Sequence, residues 1–152
     1  MKLLVDSLVE CTVQRDSDGF TPLHLAVQSP GLTSLDTYKL LCENKSALAA
    51  QDDLKKRTPF HAAVEHKVRV EVLKLLVDES MGLLQDTKGR CPLHLAAAEN
   101  ELDVVRELLQ ISPKATSLLD HDGRNPLMVE TIGKACFEVV KLLLEANEAS
   151  AS

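Results

Sequence analysis

Three histidines stand at one period along the chain: His24, His61 and His94. Imidazoles at regular spacing are candidates for metal ligation or acid–base chemistry. Cys91 lies three residues before His94, and a thiolate near a helix start is a candidate nucleophile. Asp16, Asp53, Asp86 and Asp120 recur in the same rhythm, as paired carboxylates or calcium ligands would. Each group has a plainer reading. Histidines on successive packed helices sit roughly 10 Å apart per layer, so they cannot converge on one ion. Cys91 has no evident third group to orient the pair. Aspartates that come once per turn are explained by turn formation, because Asp side chains bind nearby backbone N–H groups. No Gly-rich phosphate loop and no HExxH occurs, and Cys11, Cys42, Cys91 and Cys136 form no CxxC pair.

The elements around these residues repeat. The segments are DSDGFTPLHLA (16–26), DLKKRTPFHAA (53–63), DTKGRCPLHLA (86–96) and DHDGRNPLMVE (120–130), with Pro22, Pro59, Pro92 and Pro126 at steps of 37, 33 and 34 residues. A fixed period of this size means stacked helical units and an extended surface rather than an enclosed cleft. In the third unit, Asp86 and Gly89 belong to a turn, with Gly at a slot needing positive φ. Pro92 then opens a helix, where its missing N–H costs nothing. Thr21, Thr58 and Asn125 precede the other prolines and are good N-caps; Cys91 is a poor one. The helix stops near Asn100, which tolerates the left-handed conformation. A second helix, ELDVVRELLQ, presents Val104, Val105, Leu108 and Leu109 on one face. Corresponding second helices are TYKLLCEN, VEVLKLLVDE and FEVVKLLLEA. The first unit carries about four extra residues in SPGLTSLD, where Thr33 and Asp36 have capping-box spacing. KLLVDSLVEC, before the first unit, reads as a second helix lacking its first.

Composition agrees. Of 152 residues, 45% are apolar, 26% charged and 3% aromatic, with no Trp, so the core is built from Leu, Val, Ala and Ile. The net charge of −6 argues against general nucleic-acid binding. No apolar stretch is long enough to span a bilayer, and Asp6 and Glu10 interrupt the start too early for a signal peptide. Unpaired cysteines suggest reduced thiols and an intracellular, cytoplasmic protein, with the nucleus an open alternative. A monomer is expected.

TPLHLA at Thr21 to Ala26, with TPFHAA and CPLHLA in register behind it, resembles the ankyrin repeat over roughly residues 1–147. The resemblance implies an all-α fold: an ankyrin-repeat solenoid of about four helix-turn-helix repeats with projecting β-hairpin-like loops, preceded by a lone helix from a partial repeat. The expected boundaries within one domain, 1–152, are a partial repeat 1–15, repeats 16–52, 53–85, 86–119 and 120–147, and a tail 148–152. It also implies that the histidines bond to turn backbone, that catalytic residues and cofactors are absent, and that a protein partner is bound on loop tips and the concave helical face. Three departures stand out. Lys56 fills the turn slot held by Gly19, Gly89 and Gly123, and Met128 and Glu130 replace the His and small Ala of the other repeats. The fourth repeat therefore reads as a C-terminal cap.

Recognition falls to the slots that do not hold the fold. The slot before Thr holds Phe20, Arg57, Arg90 and Arg124; two residues earlier come Asp18, Lys55, Lys88 and Asp122. Stacking is expected to align Lys55, Lys56, Arg57, Lys88, Arg90 and Arg124 into a basic strip with exposed Phe20 at one end. The ends of the first helices add Gln28, Ser29, Glu65, His66, Ala98, Glu99, Ile132 and Gly133. Arginines in one slot favour carboxylate or phosphate partners, so an acidic protein segment is the expected occupant of the strip. Charge for solubility is the plain alternative. Two other functions stay open: a targeting domain of a larger enzyme, channel or secreted effector, and binding of anionic nucleic acid or lipid headgroups.

Overall fold

The structure, a computed structural model, describes residues 10–44, 55–76, 79–132 and 136–151. The expectations for Asp53, Gly133, the Glu130 side chain and the helix before residue 10 fall outside the described residues. The chain divides into two compact units, Met1–Leu76 and Val77–Ser152. The regular elements described in both are helical.

The first unit holds α1 (Pro22–Gln28), α2 (Leu35–Cys42), α3 (Pro59–Glu65) and α4 (Val70–Leu76). Pro22 and Pro59 open α1 and α3, and the Thr21 and Thr58 hydroxyls cap them by accepting the His24 and His61 N–H groups. First helix packs on first helix, α1 on α3, and second on second, α2 on α4. Leu23, Val27, Phe60, Ala63, Val72 and Leu76 fill the layer between them. Each such Leu or Phe stabilises the fold by about 1.5–3 kcal/mol through burial. Buried Tyr38 donates its hydroxyl to the Ala26 carbonyl at 2.8 Å, tying α2 to the end of α1. Burial raises the Tyr38 pKa.

The cap of α2 departs from expectation. Ser34, not Thr33, is the N-cap, with its hydroxyl accepting the Thr37 N–H at 3.2 Å. The Thr33 hydroxyl points back and donates to the Ala26 and Ser29 carbonyls at the end of α1. A hydroxyl spent on the preceding helix cannot cap the next one, so the helix starts one residue later.

The second unit holds α5 (Pro92–Ala98), α6 (Leu102–Ile111), α7 (Pro126–Ile132) and α8 (Phe137–Ala151), with 3₁₀ turns at Met81–Leu83 and Pro113–Ser117. Here α5 packs on α7 and α6 on α8. Leu93, Ala96 and Ala97 of α5, Val104, Val105 and Leu108 of α6, and Val139 and Leu143 of α8 are buried. Asn125 caps α7 through its side-chain oxygen, which accepts the Met128 N–H at 2.9 Å. Asn100 ends the first helix at φ 58, as its type suggested, and Lys67 does the same in the second repeat at φ 53. The last helix continues to Ala151, through the segment read as a tail. Gly82 sits against Ser112, where a Cβ would come within 2.1 Å of the hydroxyl oxygen.

Candidate functional site

The turns that precede each first helix share one construction. Asp86 Oδ1 accepts the Lys88 and Arg90 N–H groups at 2.9 and 3.0 Å. Asp120 and Asp16 do the same for residues 122 and 124, and for 18 and 20. The backbone closes as well, with Asp86 N–H donating to the Arg90 carbonyl and Gly89 N–H to the Asp86 carbonyl. The aspartates are thus turn formers, bound to backbone. Burial alone would raise the Asp86 pKa, but the Arg90 and Lys88 N–H groups and the Arg90 guanidinium outweigh it and hold the carboxyl below its ordinary value. Asp120 is lowered in the same way: the Arg124 and Asp122 N–H donors and the Arg124 charge exceed the penalty of burial.

Two of the histidines join a turn to the next within their own unit. His24 Nδ1 accepts the Thr21 N–H, and Nε2 donates to the Arg57 carbonyl at 2.9 Å, 33 residues on. His94 repeats this with the Cys91 N–H and, at 2.9 Å, the Arg124 carbonyl. An N–H donor on one ring nitrogen and a carbonyl on the other require the neutral tautomer with its proton on Nε2. Burial lowers the His94 pKa, against the opposing pull of the Arg124 carbonyl and Asp120.

The Cys91–His94 pair is a geometric neighbour of a catalytic dyad, with Sγ 3.0 Å from Nδ1. Its electrostatics run the other way. Burial pushes the Cys91 thiol up to about 11, and His94 is held neutral. A thiol donating to an uncharged imidazole stands in the place of the Thr hydroxyl of the first two repeats. Among the described residues no group of three or more His, Cys, Asp or Glu could hold a metal ion.

Lys55 and Lys88 are exposed, and Phe20 is half-buried against His24 with ring centroids 5.7 Å apart. The arginines are engaged within their own units. Arg57 is 8% exposed in its side chain and ion-pairs with Glu65. Arg90, at 25%, makes two hydrogen bonds to Asp86 Oδ2. Arg124, at 37%, reaches Asp120 and Asp122. In the first unit, Phe20, Lys55 and Arg57 come together with Gln28, Ala62, Glu65 and His66 around a groove of about 320 Å³. It joins a turn slot to the ends of two first helices.

The period, the turns and the His–carbonyl bonds recur where one family places them. The family of ankyrin repeats, in three copies, matches residues 34–117, more than half of the chain. This chain belongs to the ankyrin-repeat family. It is 33% identical over 116 residues to ankyrin repeat protein nuc-2 of Neurospora crassa, covering 75% of this chain and 11% of the other. Transient receptor potential cation channel subfamily A member 1 of Homo sapiens is 32% identical over 146 residues, covering 94% and 12%. B-cell lymphoma 3 protein of Homo sapiens is 29% identical over 141 residues, covering 90% and 31%. The chain spans between about a tenth and a third of the length of these curated relatives.

Ankyrin repeats generally mediate protein–protein interaction and are typically non-enzymatic. Among the described residues, Asp16, Asp86, Asp120, His24, His61, His94 and Cys91 all bond within or between the turns, as the ankyrin pattern implies. Sequence reasoning missed Gln85, whose amide donates to the Gly89 carbonyl at 2.6 Å and the Leu119 carbonyl at 3.0 Å, bridging two turns. It also missed the Arg–Asp pairs. Their signal was present, since Asp and Arg stand four apart in both turns of the second unit.

Proposed function

We propose that this chain is a non-enzymatic interaction module that takes an acidic segment of a protein partner on its turn tips and first-helix ends. Lys55, Arg57, Lys88, Arg90 and Arg124 supply the cations, and Phe20 supplies an apolar anchor. The groove lined by Phe20, Lys55, Arg57, Gln28, Glu65 and His66 carries this reading, because it sets cations and an aromatic face around one open space. The internal Arg–Asp pairs do not preclude it. Arg124, the most exposed of the three at 37%, pairs with an Asp122 that is 70% exposed, and such a pair contributes about 0–1 kcal/mol, so a bidentate partner carboxylate can displace it.

The test is a crosslinking pull-down with the wild-type chain and with two variants. Phe20→Ala/Lys55→Glu alters the groove, and Lys88→Glu/Arg90→Glu/Arg124→Glu alters the other turns. Loss of the recovered partner by either variant, with an unchanged circular dichroism spectrum, supports the proposal. A partner held equally by both variants removes the basic turns from recognition. An excess of poly-glutamate should compete, and poly-lysine should not.

A second reading is that these repeats target a longer protein, a channel or another multidomain assembly. The small share of each relative covered by the chain favours it. The complete coding sequence decides between the two.

A further inference from the structure

The fourth repeat exposes large apolar side chains on both of its helices. By position in the repeat, Met128 of α7 stands where α5 has His94, and Phe137 and Leu144 of α8 stand where α6 has Leu102 and Leu109. In the third repeat His94 and Val105 are fully buried and His94 bonds to the Arg124 carbonyl, while Leu102 and Leu109 are half-buried and Ala98, the counterpart of Ile132, is exposed. In the fourth repeat Met128 is 47% exposed, Ile132 67%, Phe137 74% and Leu144 46%. Four large apolar side chains exposed on one repeat mark an interaction surface.

We propose that Met128, Ile132, Phe137 and Leu144 form a docking face for an amphipathic helix of a partner protein, apolar along one stripe and basic along its flanks. Spacing fits a helical occupant. Met128 and Ile132 are four apart, and Phe137, Val140 and Leu144 are three, then four apart, so each set is a stripe along its helix. A helix laid on such stripes reads them as ridges and grooves, continuing the helix-on-helix packing of α5 on α7 and α6 on α8. At 15 residues, α8 offers a ridge of about 22 Å.

Charge fixes the flanks of the occupant. The exposed charges of α8 are Glu138, Glu145, Glu148 and Lys141, three acids against one base. A basic-flanked helix meets them favourably, whereas a second copy of this chain would bring the same acids face to face. A further ankyrin repeat fits less well, because Met128 has no ring N–H to hold the carbonyl of a following turn. The unbranched thioether of Met adapts to varied apolar partners.

The experiment uses the 152-residue chain and fluorescence anisotropy with three synthetic peptides. One has a helical leucine stripe with lysine flanks, one the same stripe with glutamate flanks, and one is a scramble of the leucine–lysine peptide. The leucine–lysine helix should bind at least tenfold more tightly than either control. Phe137→Glu/Leu144→Glu should lose at least tenfold of that affinity with an unchanged melting temperature, since both side chains are exposed. Equal binding of the scramble, or no effect of the double variant, overturns the proposal. So does a concentration-dependent dimer in sedimentation that Phe137→Glu abolishes, which would give the face to a second copy. Amide protection of residues 137–144 in the full-length gene product without peptide would give it to an adjoining segment, and also overturns the proposal.

Discussion

Lys56 holds its backbone at φ 50, in a turn slot that the other described repeats give to Gly19, Gly89 and Gly123 at φ 73 to 84. A side chain in this region costs about 1–2 kcal/mol. Lys56→Gly is therefore expected to stabilise the chain, raising the melting temperature by about 2–4 °C per kcal/mol at this size. A lowered melting temperature would mean that the lysine side chain holds something the glycine cannot. Cys91 offers a second residue-level test. Its thiol occupies the place where Thr21 and Thr58 cap a helix, so Cys91→Thr should raise the urea midpoint by an amount equivalent to about 0.5–1 kcal/mol. In the wild type, the raised thiol pKa and full burial predict that Cys91 reacts with a thiol reagent at pH 7.5 only after unfolding. Rapid modification of native Cys91 would contradict the buried, protonated state.

At the scale of elements, the turn is the part that tolerates least. Gly89 and Gly123 share the same left-handed φ, but their surroundings differ. A Cβ on Gly89 would lie 2.8 Å from the His121 backbone nitrogen, whereas Gly123 has nothing within 4 Å. That nitrogen donates to the Lys88 carbonyl and joins two turns. Gly123→Ala should cost about 1 kcal/mol, the backbone term alone. Gly89→Ala should cost clearly more, as read by thermal melts of the two variants. Equal losses would show that the turns yield to a methyl group. This contrast also shows what the sequence could reveal. The Pro and Thr positions mark the helix starts because their reasons are local: an absent N–H and a hydroxyl within reach. The His role was legible through the family pattern. Ser34 in place of Thr33 was not, because the choice depends on the carbonyls at the end of α1 that the Thr33 hydroxyl reaches. Nor was Gln85, which answers to a carbonyl 34 residues away. The basic slot was visible in the turns, but the Arg90–Asp86 pairing that occupies it depends on side-chain conformation.

At the scale of the molecule, acid should loosen the fold in two stages. The folded pKa of His94 lies below its unfolded value, so the unfolded chain binds the proton more readily. That contribution to stability is complete above the unfolded value of about 6.5 and is lost as pH falls below it. Asp86 and Asp120 are also lowered. Their contribution is complete above the unfolded value of about 3.9 and is lost as pH falls toward their folded values. Melting temperature should thus decline between pH 7 and 5 and fall again below pH 4. His94→Gln should flatten the first decline and leave the second. A wild-type curve that rises from pH 7 to 5 would mean that the folded chain favours a protonated His94, against the neutral imidazole. One irregularity has a practical meaning. The first repeat is four residues longer than the second, yet His24 still meets the Arg57 carbonyl. The surplus lies in the loop around Gly31 and Leu32, which touches little: a Cβ on Gly31 would have no neighbour within 4 Å. Chain length is counted from histidine to the next turn only through the helices, and this loop lies off the ruler. It is the place to splice an epitope, a fluorophore tag or a second binding loop while the repeats keep their spacing.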